Sequence, residues 1–204
     1  MNLDKFLDRI LELLINPAKQ WTLILNEGTQ ELHIYRYIAM HILPIIILNV
    51  GAYFAGAALV GIKAPGATNG TYLTPITAFF ISLLMIATYI GVVFVGSKII
   101  SLIASSFDSH VNETNAFKLT AFSMYPLFIF GSLHFIPGLR IGTLAGCYGI
   151  YLLYTGFPIL AATPAEKSAG YTLVVSLAII GMLALAFSLI NTITGVAPTF
   201  RVGL

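Results

Sequence analysis

Long runs of apolar residues, separated by short polar segments, predict membrane-spanning helices along most of this chain. A helix rises 1.5 Å per residue, so a hydrocarbon core of about 30 Å needs roughly 20 apolar residues. We predict spans at 37–62, 75–104, 119–136, 139–162 and 171–196. The expected fold is an all-α, polytopic membrane protein, a bundle of five transmembrane helices with an amphipathic helix before it.

That amphipathic helix is predicted at Leu3–Ile15, where apolar residues fall at 3, 6, 7, 10, 11 and 14 with charges between them. The helix is interfacial if its apolar face lies along the headgroup boundary. The same face can instead pack on the protein's own cytoplasmic loops, and the pattern leaves both possibilities open. Asn16-Pro17 then predicts a helix cap and the start of a second helix, in which Trp21 suits a membrane interface.

Composition and charge agree with a membrane protein. The hydrophobic fraction is 58% and the charged fraction 9%, against roughly 25% charged residues in a soluble domain. The net charge of +2 comes without a basic run, which argues against a nucleic-acid partner. With the N-terminus in the cytoplasm, seven of the ten Lys and Arg residues lie inside. Residues 1–36 are then a cytoplasmic segment, 37–196 the five-span domain and 197–204 a short non-cytoplasmic tail.

A seam of glycines marks one stretch of the fourth predicted span and the turn before it. The glycines recur at spacings of three, four and seven residues, which clears side chains from one helical face. Small residues let helices approach closely in a bilayer, so the seam predicts helix packing, within the chain or between protomers. The predicted packing residues are Gly138, Gly142, Gly146, Gly149 and Gly156.

The stretch YLLYTGFPILAATPAEKSAGYTLVV, from Tyr148 to Val175, ends an aromatic span and begins the last one. Together with the Pro-x-x-x-Trp element at 17–21, the five spans and the polar loop after the second span, it resembles the Yip family of Ypt-interacting proteins. The resemblance extends over about 17–196. It implies a five-span membrane protein and supplies no catalytic residue.

Eukaryotic members of that family are associated with Rab-type GTPases through a longer cytosolic N-terminal region, whereas only about 36 residues precede the first predicted span here. The resemblance therefore implies a bacterial member, located in the inner (cytoplasmic) membrane. The partners expected for such a protein are the lipid bilayer and either a second copy of the chain or another membrane protein.

Polar residues inside a membrane are costly and are candidate sites. Asn49 and Asn191 can hydrogen-bond between helices or line a solute path, and His134 can sense protons at a pore mouth or lie at an interface. The histidines are scattered and no phosphate-binding glycine loop follows a strand, so we expect no catalytic residues, no metal and no cofactor.

Two functions fit this pattern. The first is a non-enzymatic scaffold, assembly or membrane-organising factor, indicated by the glycine seam and the amphipathic start. The alternative is a channel or transporter for a small solute or ion, indicated by prolines 44, 126 and 158 in the spans, because broken helices can line a cavity.

Overall fold

A computed structural model describes residues 3–27, 38–60, 73–135 and 140–194. Within these ranges the chain is helical and has no strand, which confirms the predicted all-α fold. The α-helices, in chain order, are α1 (Leu3–Ile15), α2 (Pro17–Asn26), α3 (Leu43–Ala55), α4 (Pro75–Ile103), α5 (Glu113–Ser123), α6 (Tyr125–Gly131), α7 (Tyr148–Leu160) and α8 (Ala165–Thr194).

Shorter helical turns extend several of these elements. α3 lies between two π-helical turns, Ile38–Ile42 and Gly56–Val60. Stretches of 3₁₀-helix follow α4 and α6 at Ala104–Phe107 and Ser132–Phe135, and another, Arg140–Cys147, leads into α7.

α1 has the predicted bounds, and α2 begins at Pro17 as predicted. The side chain of Asn16 caps α2 by accepting a hydrogen bond from the Lys19 backbone N–H at 3.5 Å, and Pro17 occupies the first turn. α1 packs back on α2, so residues 3–27 form a helical pair that we call the N-terminal hairpin. This hairpin lies against the rest of the protein through contacts between α2 and α7.

The centre of the protein is the pair α5 and α6. All residues from 116 to 126 are buried, and α5 packs against both α4 and α7. α4 and α8, of 29 and 30 residues, run antiparallel beside this centre. Tyr171 near the start of α8 reaches Ile100 near the end of α4, whereas Phe187 near the end of α8 contacts Tyr89 in the middle of α4.

Three helical segments in the described ranges are long and apolar enough to cross a membrane, namely Met40–Leu59, Pro75–Phe107 and Ala165–Thr194. They correspond to the first, second and fifth predicted spans. The third and fourth predicted spans contain shorter helices, because the helix is interrupted at Met124, two residues before Pro126, and because 3₁₀-helix precedes α7. The count of five spans therefore stays a prediction.

Candidate functional site

Charged and polar side chains from five elements meet where the N-terminal hairpin contacts the helices around it. Arg9 of α1 and Glu27 after α2 form a bidentate ion pair, in which Arg9 Nη1 donates to Glu27 Oε2 at 3.2 Å and Nη2 donates to Oε1. The guanidinium also lies 6.0 Å from the centre of the Phe122 ring. Arg9 thereby joins the two helices of the hairpin to each other and to α5.

Lys118 of α5 holds the end of α2. Its side chain is 1% exposed, and Nζ donates hydrogen bonds to the carbonyl oxygens of Ile24 at 2.9 Å and Glu27 at 2.6 Å. The last carbonyls of a helix have no partner within it and carry its negative dipole end, so an ammonium group there is stabilising. Burial lowers the pKa of Lys118, which the Glu27 carboxylate opposes and Arg9 reinforces.

His41, in the turn before α3, completes the group. The Tyr125 hydroxyl of α6 donates to the His41 carbonyl oxygen at 2.7 Å, and His41 Nδ1 lies 3.5 Å from Arg9 Nη1. We call Arg9, Glu27, His41, Lys118 and Tyr125 the polar cluster. It connects the N-terminal hairpin with α3, α5 and α6. Its ion pair and hydrogen bonds hold these helices together.

The sequence did not point to the polar cluster because its members are spread from position 9 to position 125 of the chain and lie in no motif. Lys118 gave the one usable signal. It stands directly before the third predicted span and within helical reach of Phe122, so its ammonium has to find acceptors from another segment.

Trp21 is fully buried within the protein, and its predicted depth at a membrane interface stays a prediction. Its indole Nε1 donates to Thr155 Oγ1 of α7 at 3.2 Å, and its ring lies beside Gly156 and edge-on to Phe122. A second bond, from the Tyr148 hydroxyl to the Leu14 carbonyl at 2.8 Å, fastens α1 to α7. The hairpin is thus attached to α7 as well as to the polar cluster.

Asn49 joins three helices in the interior. It is 6% exposed, its Nδ2 donates to the Phe128 carbonyl at 2.9 Å, and its Oδ1 accepts from the Tyr89 hydroxyl at 3.1 Å. A Cβ at Gly131 would come within 2.6 Å of Nδ2, so that glycine leaves the space the amide occupies. The arrangement favours the interhelical hydrogen-bonding role for Asn49.

The other two candidate polar residues are not part of this network. Asn191 is partly exposed near the end of α8, and no hydrogen bond joins its amide to another residue in the described parts of the chain. The side chain of His134 lies outside what the structure describes. The roles predicted for both residues stay predictions.

Three glycines of the seam lie against other parts of the same chain. A Cβ at Gly149 would overlap the Ser123 carbonyl oxygen, and one at Gly146 would lie 3.1 Å from the Leu127 Cα. A Cβ at Gly156 would meet the Leu119 side chain and approach the Trp21 ring to 2.9 Å. Gly138 and the surroundings of Gly142 lie outside the described structure.

A second set of contacts connects the loop after α4 to the start of α8. Lys167 pairs with Asp108, Ser109 donates to the Thr163 hydroxyl at 2.7 Å, and the His110 backbone N–H donates to the Ala161 carbonyl at 2.9 Å. These bonds fix the two loops to each other at one end of the bundle.

Two cavities in the described structure have mainly apolar linings. One of about 220 Å³ lies between α3 and α4, and one of about 440 Å³ is lined by residues of α1, α6, α7 and the 3₁₀-helix before α7. Neither is lined by Asn49 or Asn191. In the described ranges no three His, Cys, Asp or Glu residues are grouped so as to hold a metal ion.

This architecture, with long apolar helices around a buried centre, is that of a multi-pass helical membrane protein. The Yip1 domain model matches residues 11–189, which is most of the chain, and the chain belongs to the Yip1 domain family. The match confirms the resemblance predicted from the Tyr148–Val175 stretch and agrees with an integral membrane location. A search of curated proteins and of solved structures finds no significant match to the chain.

Proposed function

We propose that this protein is a non-enzymatic scaffold, assembly or membrane-organising factor, and that α1 presents its working surface. The observation that supports this is that α1 has apolar residues on two faces, one packed against the protein and one exposed. Its inner face, with Phe6, Ile10 and Leu13, packs against the core. Its outer face exposes Leu7, Leu11 and Ile15 by 48%, 54% and 80%. We call these three residues the outer strip.

The outer strip differs from the exposed apolar surface of the long helices because it belongs to a short helix with charged neighbours. Asp8 is exposed beside Leu7, and Glu12 pairs with Lys19 of α2 at 2.9 Å beside Leu11. A helix with an apolar face and a charged face lies in the interface, with its apolar face roughly 5–10 Å into the headgroup and acyl boundary. In this arrangement the inner face packs on the protein while the outer strip contacts lipid or a partner.

The N-terminal hairpin is attached firmly to the bundle, and this attachment fixes where the outer strip contacts the membrane. Arg9–Glu27, Lys118, Tyr148 and Trp21 hold it against α5 and α7, so the outer strip keeps a fixed position relative to the bundle. Because α1 is fixed to the bundle and lies in the interface of one leaflet, it adds volume to that leaflet only; we call this part of the protein the wedge. This added volume is how α1 would organise the surrounding membrane.

The topology belongs to the same proposal. Residues 1–36 form the cytoplasmic segment, 37–196 the five-span domain and 197–204 the non-cytoplasmic tail, in a bacterial inner membrane. The excess of Lys and Arg on the N-terminal side supports this orientation. The wedge then acts on the cytoplasmic leaflet.

Affinity purification from native membranes tests the scaffold role. Wild type is compared with a variant carrying Leu7→Gln, Leu11→Gln and Ile15→Gln, which leaves the inner face of α1 unchanged. We expect protein or lipid that co-purifies with wild type in fixed proportion and is depleted from the variant. A small solute retained equally by both proteins would contradict the proposal.

The channel or transporter alternative has one observation in its favour. The hydroxyl of Ser123 is buried without a hydrogen-bond partner in the described structure, directly before the helix interruption at Met124. Interrupted helices with free polar groups bind solutes in transporters. Uptake of a radiolabelled ion or solute into proteoliposomes that Ser123→Ala abolishes would favour this alternative.

A further inference from the structure

The cavity between α3 and α4 is an open apolar groove in the membrane-spanning part of the protein. It is lined on α3 by Ile47, Val50, Gly51 and Phe54 and on α4 by Phe79, Ser82 and Ile86. Both walls belong to segments long and apolar enough to cross a membrane. The groove therefore opens onto the hydrocarbon core and is continuous with the lipid-facing surface.

Two small residues, Gly51 of α3 and Ser82 of α4, are among those that line the groove. A Cβ added at Gly51 would meet no atom within 4 Å, so the groove has free space beside that glycine. Larger apolar side chains, among them Phe54 and Phe79, also line it. The result is a trough of about 220 Å³ instead of the close helix contact that glycine permits elsewhere in this chain.

The chemistry of the walls selects the occupant. The Ser82 hydroxyl donates to the Ala78 carbonyl of its own helix at 2.8 Å, so the groove offers water no free polar group from that side chain. Ordered water needs two to four polar partners, and an apolar space left empty forfeits dispersion contacts along its lining. A flexible hydrocarbon chain needs no polar partner in the groove and restores the dispersion contacts with its lining.

We propose that the α3–α4 groove is a binding site for one acyl chain of a membrane phospholipid. From Ile47 to Phe54 the groove follows α3 for seven residues, or about 10 Å, which is about one third of a hydrocarbon core of 30 Å. This site does not depend on the role proposed for α1.

Photo-crosslinking tests the site in the full-length protein. The protein is reconstituted in phosphatidylglycerol and phosphatidylethanolamine vesicles that contain a trace of phospholipid with a diazirine on its acyl chain, and labelled peptides are identified by mass spectrometry. We expect labelling of Phe54 and Phe79 to exceed that of Leu173 and Leu177, which are exposed on α8 and line neither of the two cavities described above, by several-fold.

Gly51→Leu fills the groove, and Gly181→Leu is the matched control, because a Cβ at Gly181 also meets nothing within 4 Å and that residue lies on α8. We expect Gly51→Leu to reduce labelling of Phe54 and Phe79 several-fold and Gly181→Leu to leave it unchanged. Gly51→Ala gives a smaller change if the larger variant proves unstable. Uniform labelling of α3, α4 and α8, crosslinks to a second copy of the chain, or labelling unaffected by Gly51→Leu would each overturn the proposal.

Discussion

The close approach of Gly149 to α5 gives the sharpest stability prediction. Replacing it with alanine adds a single methyl group, which would occupy the position of the Ser123 carbonyl oxygen. A backbone oxygen cannot rotate away as the end of a side chain can, so α5 and α7 have to separate. Because α5 is buried throughout 116–123, this separation disturbs packing at the centre of the protein.

The size of the effect follows from two opposing contributions. Overpacking in a well-packed core costs about 1–3 kcal/mol and occasionally more. Alanine in place of glycine within a helix returns up to about 1 kcal/mol. Because a backbone oxygen cannot move aside, the cost is at the upper end of that range, and we expect Gly149→Ala to lower the free energy of unfolding by about 2 kcal/mol. Gly156→Ala should cost less, since the Leu119 and Trp21 side chains can adjust.

Thermal unfolding in detergent, followed together with particle mass by light scattering, measures this effect. Gly181→Ala is the control, because its methyl group meets nothing within 4 Å and only the gain in helix propensity remains. We expect Gly149→Ala to unfold at a lower temperature than both wild type and the control, at unchanged particle mass. Equal stability of the two variants would refute the packing argument, and loss of an oligomer without destabilisation would place Gly149 between protomers.

Three further predictions concern polar contacts and topology. Asn49→Leu removes two interhelical hydrogen bonds and should cost about 1–3 kcal/mol in detergent unfolding, Tyr89→Phe about half of that, and the double variant less than the sum. Lys118→Met should increase amide hydrogen exchange in residues 17–27, since it releases the α2 carbonyls, whereas Lys98→Met, which removes an exposed ion pair with Glu113, should not. A reporter fused after Leu204 should be active only outside the cytoplasm, and cytoplasmic activity would contradict the span count or the orientation.

Periodicity was sufficient to predict the helices that are regular. The amphipathic pattern at 3–15 and the apolar run at 75–104 match α1 and α4 closely, because each depends on local spacing and on cap residues such as Asn16. The third and fourth predicted spans were less accurate. Apolar composition does not show where Pro126 interrupts hydrogen bonding or where a helix tightens to 3₁₀ geometry.

The polar cluster and the burial of Trp21 could not be predicted from the sequence, because both depend on contacts between segments that are far apart in the chain. Arg9, Glu27 and Lys118 acquire their roles from contacts between segments far apart in the chain. Trp21 is typical of an interface in isolation, and only the space left by Gly156 allows it to be buried. The glycine spacing predicts helix packing without identifying α5, α6 and Trp21 as the surfaces that lie against Gly146, Gly149 and Gly156.

The central claim is that a fixed, lipid-facing α1 organises the surrounding membrane. The most direct test is the size distribution of proteoliposomes by cryo-electron microscopy, at equal protein content, for wild type and for the variant with Leu7, Leu11 and Ile15 replaced by Gln. We predict that wild type narrows and shifts the distribution to smaller vesicles, and that the variant, with unchanged thermal stability, resembles protein-free liposomes. Identical distributions for both proteins, with solute flux through wild type, would contradict the account.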